Sequence, residues 1–435
     1  MKKCKRLLAI LVAVLMLGTL FGCSTSSTEE ESAATSESAT ETVDTSETST
    51  DTSETGTEVA DKITLFQSKT EITDQLAACV EAFTAETGID VEIWETSGDE
   101  YYTDLKVYLT SDEGPTLFSI SPGSEVNELN AYLTDLGDTD VADLIYTDMR
   151  VEYDGTLVGV PYTVEGFGLL IDESMVSDAD IADLASFESY LSACADAGTN
   201  GMELSEEAYF LIGHILNTPF ALQDDPAAYL ASVLAGETRF VDSDIFVEFG
   251  ELYDAIRTYT QSPLGVSYDE ACGDFATGAT GIIHQGNWCY SMFADYAVDF
   301  DMSLAPLPIS GNDCVAVAVP TAWAVNSQAT DEEIAAAKVF LDWLYTSDTG
   351  KTYVMDEFEF IPVVDGMTST TLDPISQSVA DYVAAGKTIV WSLNNWPAGI
   401  IATYLQPVAE QFFTTDMTVT EFLNALNDAF VEAAS

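Results

Sequence analysis

Residues 63–95, ITLFQSKTEITDQLAACVEAFTAETGIDVEIWE, set the architecture. Ile63-Thr64-Leu65-Phe66 is a short apolar run of the kind that forms a buried strand. Leu76, Cys79, Val80 and Phe83 then recur at i, i+3, i+4 and i+7, behind Thr73 as a start signal and ahead of Gly88 as a stop, so the spacing predicts a helix. Residues 91–95 alternate apolar with acidic side chains, as a second strand does. Further on, Tyr102, Leu105 and Leu109 share one helical face and residues 115–120 read as a third strand. Strands alternating with amphipathic helices in the order βαβαβ imply an α/β fold with a mostly parallel sheet covered on both faces. Ligands of such sheets sit at the carboxyl ends of the strands.

Two later helices are marked with the same clarity. Thr330-Asp331-Glu332-Glu333 is a capping-box pattern ahead of Ile334, Ala337, Leu341 and Leu344, and Thr418-Val419-Thr420-Glu421 repeats it ahead of Phe422, Leu423, Leu426 and Phe430. No internal repeat is present. From Lys62 onward the chain is long enough for two ordinary domains with full cores.

The first residues speak to compartment. Lys2, Lys3, Lys5 and Arg6 precede an apolar run over 7–20, which is short for a membrane span and suits a signal peptide. Leu20-Phe21-Gly22-Cys23 follows and resembles the bacterial lipobox, with a bulkier residue than usual at Phe21. The expectation is a signal peptide over 1–22 and a lipidated Cys23, anchored to the membrane by acyl chains. Residues 24–61 are almost wholly Ser, Thr, Glu, Asp and Ala with no aromatic, Lys or Arg, a composition that cannot offset ordering entropy. Residues 23–61 therefore read as a disordered tether, with a coil span on the order of 35 Å.

The chain carries 74 acidic against 13 basic residues, a formal charge of −61. Such a surface repels phosphate backbones and anionic lipid, so nucleic acid is excluded as a partner. Cys79, Cys194, Cys272, Cys289 and Cys314 are odd in number and show no CxxC spacing, which indicates neither a zinc site nor a full disulfide framework; a single disulfide stays open.

Several segments, taken in chain order, look familiar. They are 84–93 (TAETGIDVEI), 154–162 (DGTLVGVPY) running through Glu165 to 169–172 (LLID), 275–282 with Gln285-Gly286-Asn287-Trp288, 301–308 (DMSLAPLP), and 323–326 (WAVN) with 346–350 (TSDTG). The series resembles the family 1 extracellular solute-binding proteins, the group that includes maltose-binding protein. The resemblance implies a type II periplasmic-binding-protein-like fold, two α/β lobes joined by a hinge with the ligand cleft between them. Lobe one would comprise 62–164 and 321–370, lobe two 168–316 and 373–435. It further implies a monomeric, lipid-anchored extracellular receptor that captures an oligosaccharide and delivers it to the permease subunits of an ABC importer, with no cofactor and no catalytic step.

The resemblance also nominates ligand-binding residues. Trp288 matches the family's cleft tryptophan, and Gly286 would let backbone approach the ligand closely. Glu207 and Tyr209 match an acidic residue and a tyrosine of the sugar site, although Ala208 replaces the proline between them; a solvated helix start is the competing reading. Glu165 matches an acidic cleft residue, or is an exposed hinge carboxylate. Lys69 and Glu71 follow the first strand, where the first contact loop sits. Asn395 and Trp396 precede a helix that supplies a second stacking tryptophan, with Trp391 an equal competitor. Residues 119–124 (SISPGS) lack the aromatic and the Asp-Arg pair of maltose-binding protein, which argues against a maltose-specific site.

Nothing points to catalysis. His214 and His284 lie in apolar runs and read as structural histidines, and no Walker, GxGxxG or HExxH motif is present. Alternative readings are a receptor of the same fold for a polyamine or other cationic solute, a surface glycosidase with a carboxylate pair, and an adhesin with no small ligand.

Overall fold

The computed structural model describes residues 59–434 apart from 97, 112–113, 295 and 368–371. The signal segment, Cys23 and nearly all of the tether lie outside the described residues. The folded chain begins slightly ahead of Lys62, because the Ala60 N–H donates to the Glu332 carbonyl at 3.0 Å and the Asp90 N–H to the Asp61 carbonyl at 2.8 Å.

Eleven strands among the described residues form two sheets: β1 (Lys62–Gln67), β2 (Asp90–Glu95), β3 (Leu117–Ile120), β4 (Val151–Tyr153), β5 (Thr156–Pro161), β6 (Glu165–Asp172), β7 (Ile282–Gly286), β8 (Met302–Ala305), β9 (Val315–Ala318), β10 (Ala322–Val325) and β11 (Thr388–Ile389). The first sheet runs in the order β2-β1-β3-β10-β5-β4. The second runs β11-β9-β6-β7, with β8 also paired to β6.

The helix predicted after β1 spans Thr73–Thr87 and buries Leu76, Cys79, Val80 and Phe83. It stops at Gly88, whose φ of 81° is a left-handed conformation that costs glycine little. Both capping boxes form: Thr330 opens Asp331–Thr346 and Thr418 opens Val419–Ala433.

The expectation of a mostly parallel sheet holds for β2-β1-β3 and for the short β11-β9 pair. β10 pairs antiparallel with both β3 and β5, and β6 pairs antiparallel with β7, β8 and β9. Parallel neighbours need a crossover of a dozen residues or more. By contrast, residues 162–164 and 319–321 carry the chain directly from one sheet to the other, so β6 and β10 enter their sheets by short links.

Each sheet has its own core. Around the first, Trp323 is fully buried and stacks on Tyr162 with ring centroids 3.8 Å apart. Around the second, Phe187, Phe220, Phe246 and Phe422 belong to a large apolar cluster that also takes in Phe430 of the last helix. The five described cysteines are free. No helix among the described residues is long and apolar enough to cross a membrane.

Candidate functional site

A cavity of about 650 Å³ lies between the two lobes. From lobe one come the turn after β1 (Lys69, Glu71), the start of helix Gly98–Leu109 (Glu100, Tyr101, Tyr102) and the loop after β3 (Ser121, Glu125). Lobe two contributes Glu207, Tyr209, Phe210 and His214, then Tyr268 and Asp269, then Trp288 just beyond β7, and the stretch around Trp391 and Asn394. Three of these groups follow the carboxyl ends of strands, where α/β sheets place their ligands.

The lobes meet at the rim. A Cβ on Gly123 would lie 2.2 Å from the Asn394 carbonyl oxygen and 3.2 Å from Asn395 Oδ1, and Gly123 has φ 87°, so this contact needs glycine on both counts. Nearby, Ala398 packs against the lobe-one cluster that contains Tyr102.

At the hinge, Lys69 Nζ donates to Glu165 Oε1 at 2.6 Å, and both side chains are largely buried. Burial would lower the Lys69 pKa, but Glu165 and Glu71 outweigh it and the ammonium is held more firmly than usual. Burial pushes the Glu165 carboxyl up while Lys69 pulls it back, leaving it above the ordinary carboxylate range. Glu125 is pushed up to about 7, chiefly by burial, against the opposing Ser121 N–H, which it accepts at 2.8 Å.

The lobe-two wall is aromatic. Trp288 lies 5.1 Å from His214, 6.2 Å from Trp391, 6.3 Å from Phe167 and 6.4 Å from Phe210, centroid to centroid. Its Nε1–H donates to Gln285 Oε1 at 2.9 Å. The Gly286 that was expected to admit a ligand admits this ring: a Cβ there would come 2.2 Å from Trp288 Cζ3. His214 stacks on Phe167 at 4.6 Å. Burial, followed by the nearby His284, holds His214 well below the usual imidazole range, so it is neutral. Its Nδ1, the Tyr268 hydroxyl, Trp391 Nε1 and Glu207 Oε2 are buried without hydrogen-bond partners. The other Glu207 oxygen accepts the Tyr268 N–H at 2.9 Å.

The cavity thus brings together Lys69, Glu71, Glu165, Glu207, Tyr209 and Trp288. Glu165 is buried and ion-paired rather than an exposed hinge carboxylate. Trp396 is placed differently from the expected free stacking face. It touches the cavity wall but is 1% exposed, with Phe220 and Phe430 rings 5.0 and 5.1 Å away in the lobe-two core. Trp391, its competitor, is the tryptophan that joins the Trp288 cluster. Asn395 is exposed at the rim facing Gly123, and its neighbour Asn394 lines the cavity. Phe210, His214, Tyr268, Tyr102 and Glu125 were not singled out for the site from the residues. For Tyr268 a signal existed, since Ser267 and Glu270 form a capping box that fixes a helix start there. Among the described residues, no group of three or more His, Cys, Asp or Glu side chains is arranged to hold a metal ion.

Two α/β lobes linked by short crossings and enclosing an aromatic, carboxylate-bearing cavity define a two-lobed ligand receptor of the type II kind. Three solved structures share this fold. A chitin oligosaccharide binding protein matches with a TM-score of 0.74 at 17% identity, over 87% of this chain and all (100%) of its own. RafE in complex with raffinose matches with a TM-score of 0.70 at 16% identity, over 86% and 100%. A family 1 extracellular solute-binding protein from Bifidobacterium longum subsp. infantis matches with a TM-score of 0.60 at 16% identity, over 86% and 100%. A comparison with curated proteins finds no match. The model of the family described as bacterial extracellular solute-binding protein matches residues 78–387, and the chain belongs to that family.

Proposed function

We propose that this chain is the lipid-anchored receptor of an ABC importer and that it captures a carbohydrate and hands it to membrane permease subunits without altering it. The observation that carries this reading is the interlobe cavity, lined both by aromatic rings (Trp288, Tyr209, Phe210) and by hydrogen-bonding carboxylates and Lys69. Flat apolar rings suit the C–H faces of pyranose units, and fixed polar groups suit their hydroxyls. Solved proteins of the same fold that bind chitin oligosaccharide and raffinose support it. The lobe boundaries 62–164 with 321–370 and 168–316 with 373–435, the ligand-contact roles and the monomeric state belong to the same proposal.

Isothermal titration of the full chain in detergent against a panel of tetrasaccharides tests it, with product analysis on the same samples. Saturable binding of an unaltered sugar is expected; release of shorter sugars would point to a glycosidase instead. A second reading, a cationic solute such as a polyamine, is favoured by the carboxylates around the cavity, and spermidine belongs in the panel. Anchoring through Cys23 is tested separately: Cys23→Ala should leave the chain unlipidated and absent from the membrane fraction, and membrane-bound, processed Cys23→Ala protein sinks the lipobox reading.

A further inference from the structure

The cavity has a charge imbalance that the capture of a neutral sugar leaves without purpose. Six carboxyl-bearing residues line it: Glu71, Glu100 and Glu125 from lobe one, Glu165 at the crossing, and Glu207 and Asp269 from lobe two; Glu125, pushed up to about 7 by burial, adds little of the charge at pH 6. Lys69 is the one Lys or Arg on the described wall, and its ammonium is already engaged by Glu165 at 2.6 Å. No cation is left over to receive an anionic ligand. Carboxylates gathered around one cleft repel one another, and where a carboxylate oxygen is buried it also loses hydration, which is costly unless a positive charge compensates it. Glu207 states the deficit most clearly: one oxygen accepts the Tyr268 N–H, and the other is buried without a partner.

The rings of Trp288, Trp391, Tyr209 and Tyr268 line the same cavity. An aromatic face attracts a cation through its quadrupole, with tryptophan the strongest, and the attraction grows when the cation is desolvated. Carboxylates with rings also suit a polyamine, and rings with fixed polar groups a neutral sugar; the carbohydrate reading narrows the choice. A ligand that satisfies both has pyranose C–H faces and an ammonium on the same ring. Tyr268 adds a hydroxyl without a partner and His214 an unpartnered ring nitrogen, both on side chains more than nine-tenths buried in the wall. These are complementary to the hydroxyls of such a sugar.

Resting on the carbohydrate reading, we propose that the cleft selects oligosaccharides carrying free amino groups, 2-amino-2-deoxy sugar units held as ammonium ions between the aromatic wall and Glu207, over neutral or uronate-bearing chains of equal length. The selection is by charge and by ring face together. Uronates meet a wall with no free cation, and N-acetylation removes the charge while leaving the pyranose in place.

Titration calorimetry on the full chain in detergent, at pH 6 and low salt, tests this with five probes: the β-1,4 tetramers of glucosamine, N-acetylglucosamine and glucose, tetragalacturonate, and spermidine. The expected result is that the glucosamine tetramer binds at least about tenfold more tightly than its N-acetylated counterpart and that tetragalacturonate does not bind. High salt should shrink that ratio, and Glu207→Gln should shrink it too; the salt series on the unaltered chain stands even where the variant fails to fold. An N-acetylated or glucose tetramer that binds as tightly as the glucosamine tetramer overturns the proposal and leaves the carbohydrate reading intact. Absence of binding by every tetramer, with or without spermidine binding, removes the carbohydrate reading and this proposal with it.

Discussion

Trp288→Ala separates two roles that one ring plays. The indole is part of the cavity wall, yet it also packs against Phe167, Phe210, His214 and Trp391 at 5.1 to 6.4 Å and holds Gln285 through its N–H. Gly286 lets the ring fold back over the strand end, so its position is fixed before any ligand arrives. Truncating a desolvated aromatic anchor commonly costs about 2 kcal/mol of binding or more, roughly thirtyfold in Kd. A fully buried tryptophan truncated to alanine costs about 3–5 kcal/mol of stability. Trp288 is only partly buried, and the stability loss should fall to about 2–3 kcal/mol on the same scale, including the bond lost by the buried Gln285. Calorimetry with the tightest tetramer and a ligand-free thermal melt measure the two quantities on one variant. Trp288→Phe keeps a flat face and should restore most of the affinity. If Trp288→Ala binds the sugar as the unaltered chain does while its melting temperature falls steeply, the ring is core and not a stacking platform.

Three further outcomes follow from the geometry. Gly123→Ala sets a Cβ against the Asn394 carbonyl at the rim, so ligand should bind more weakly and solution scattering of the ligand-saturated protein should show a less compact particle; an unchanged radius and affinity would mean the lobes do not close through this contact. Lys69→Met leaves Glu165 buried without its counter-charge and should cost about 3–5 kcal/mol in equilibrium unfolding, with Lys69→Met/Glu165→Gln recovering part of it; a loss below about 0.5 kcal/mol would show the pair to be solvated. Burial lowers His284 from 6.5 to about 3. The unfolded chain therefore takes up a proton below pH 6.5 that the fold refuses until about pH 3, and stability is lost as pH falls through that window. His284→Leu should reduce the loss between pH 7 and 4.5 by about 3 kcal/mol, and an acid limb identical to that of the unaltered chain would refute the assignment.

What the sequence determined alone is what four consecutive residues or one helical face can encode. The face of helix Thr73–Thr87 and its stop at Gly88 were legible, as were the capping boxes at Thr330 and Thr418, because i, i+3, i+4 spacing and side-chain caps act within a single turn. So was the opening β1-helix-β2 unit, whose parallel register pairs Lys62 with Asp90 through Gln67 with Glu95. Only the tertiary structure decided the rest. The antiparallel entries of β10 and β6 follow from short links between sheets, which leave no local mark. Lys69 and Glu165 stand 96 residues apart in the chain and meet at 2.6 Å. Trp391 and Trp396 are indistinguishable as residues, yet one faces the Trp288 cluster and the other sits among Phe220 and Phe430. Composition states how many aromatic rings the chain must place; which of them face a cavity depends on where distant segments pack, because burial is a property of the assembled core and not of the residue.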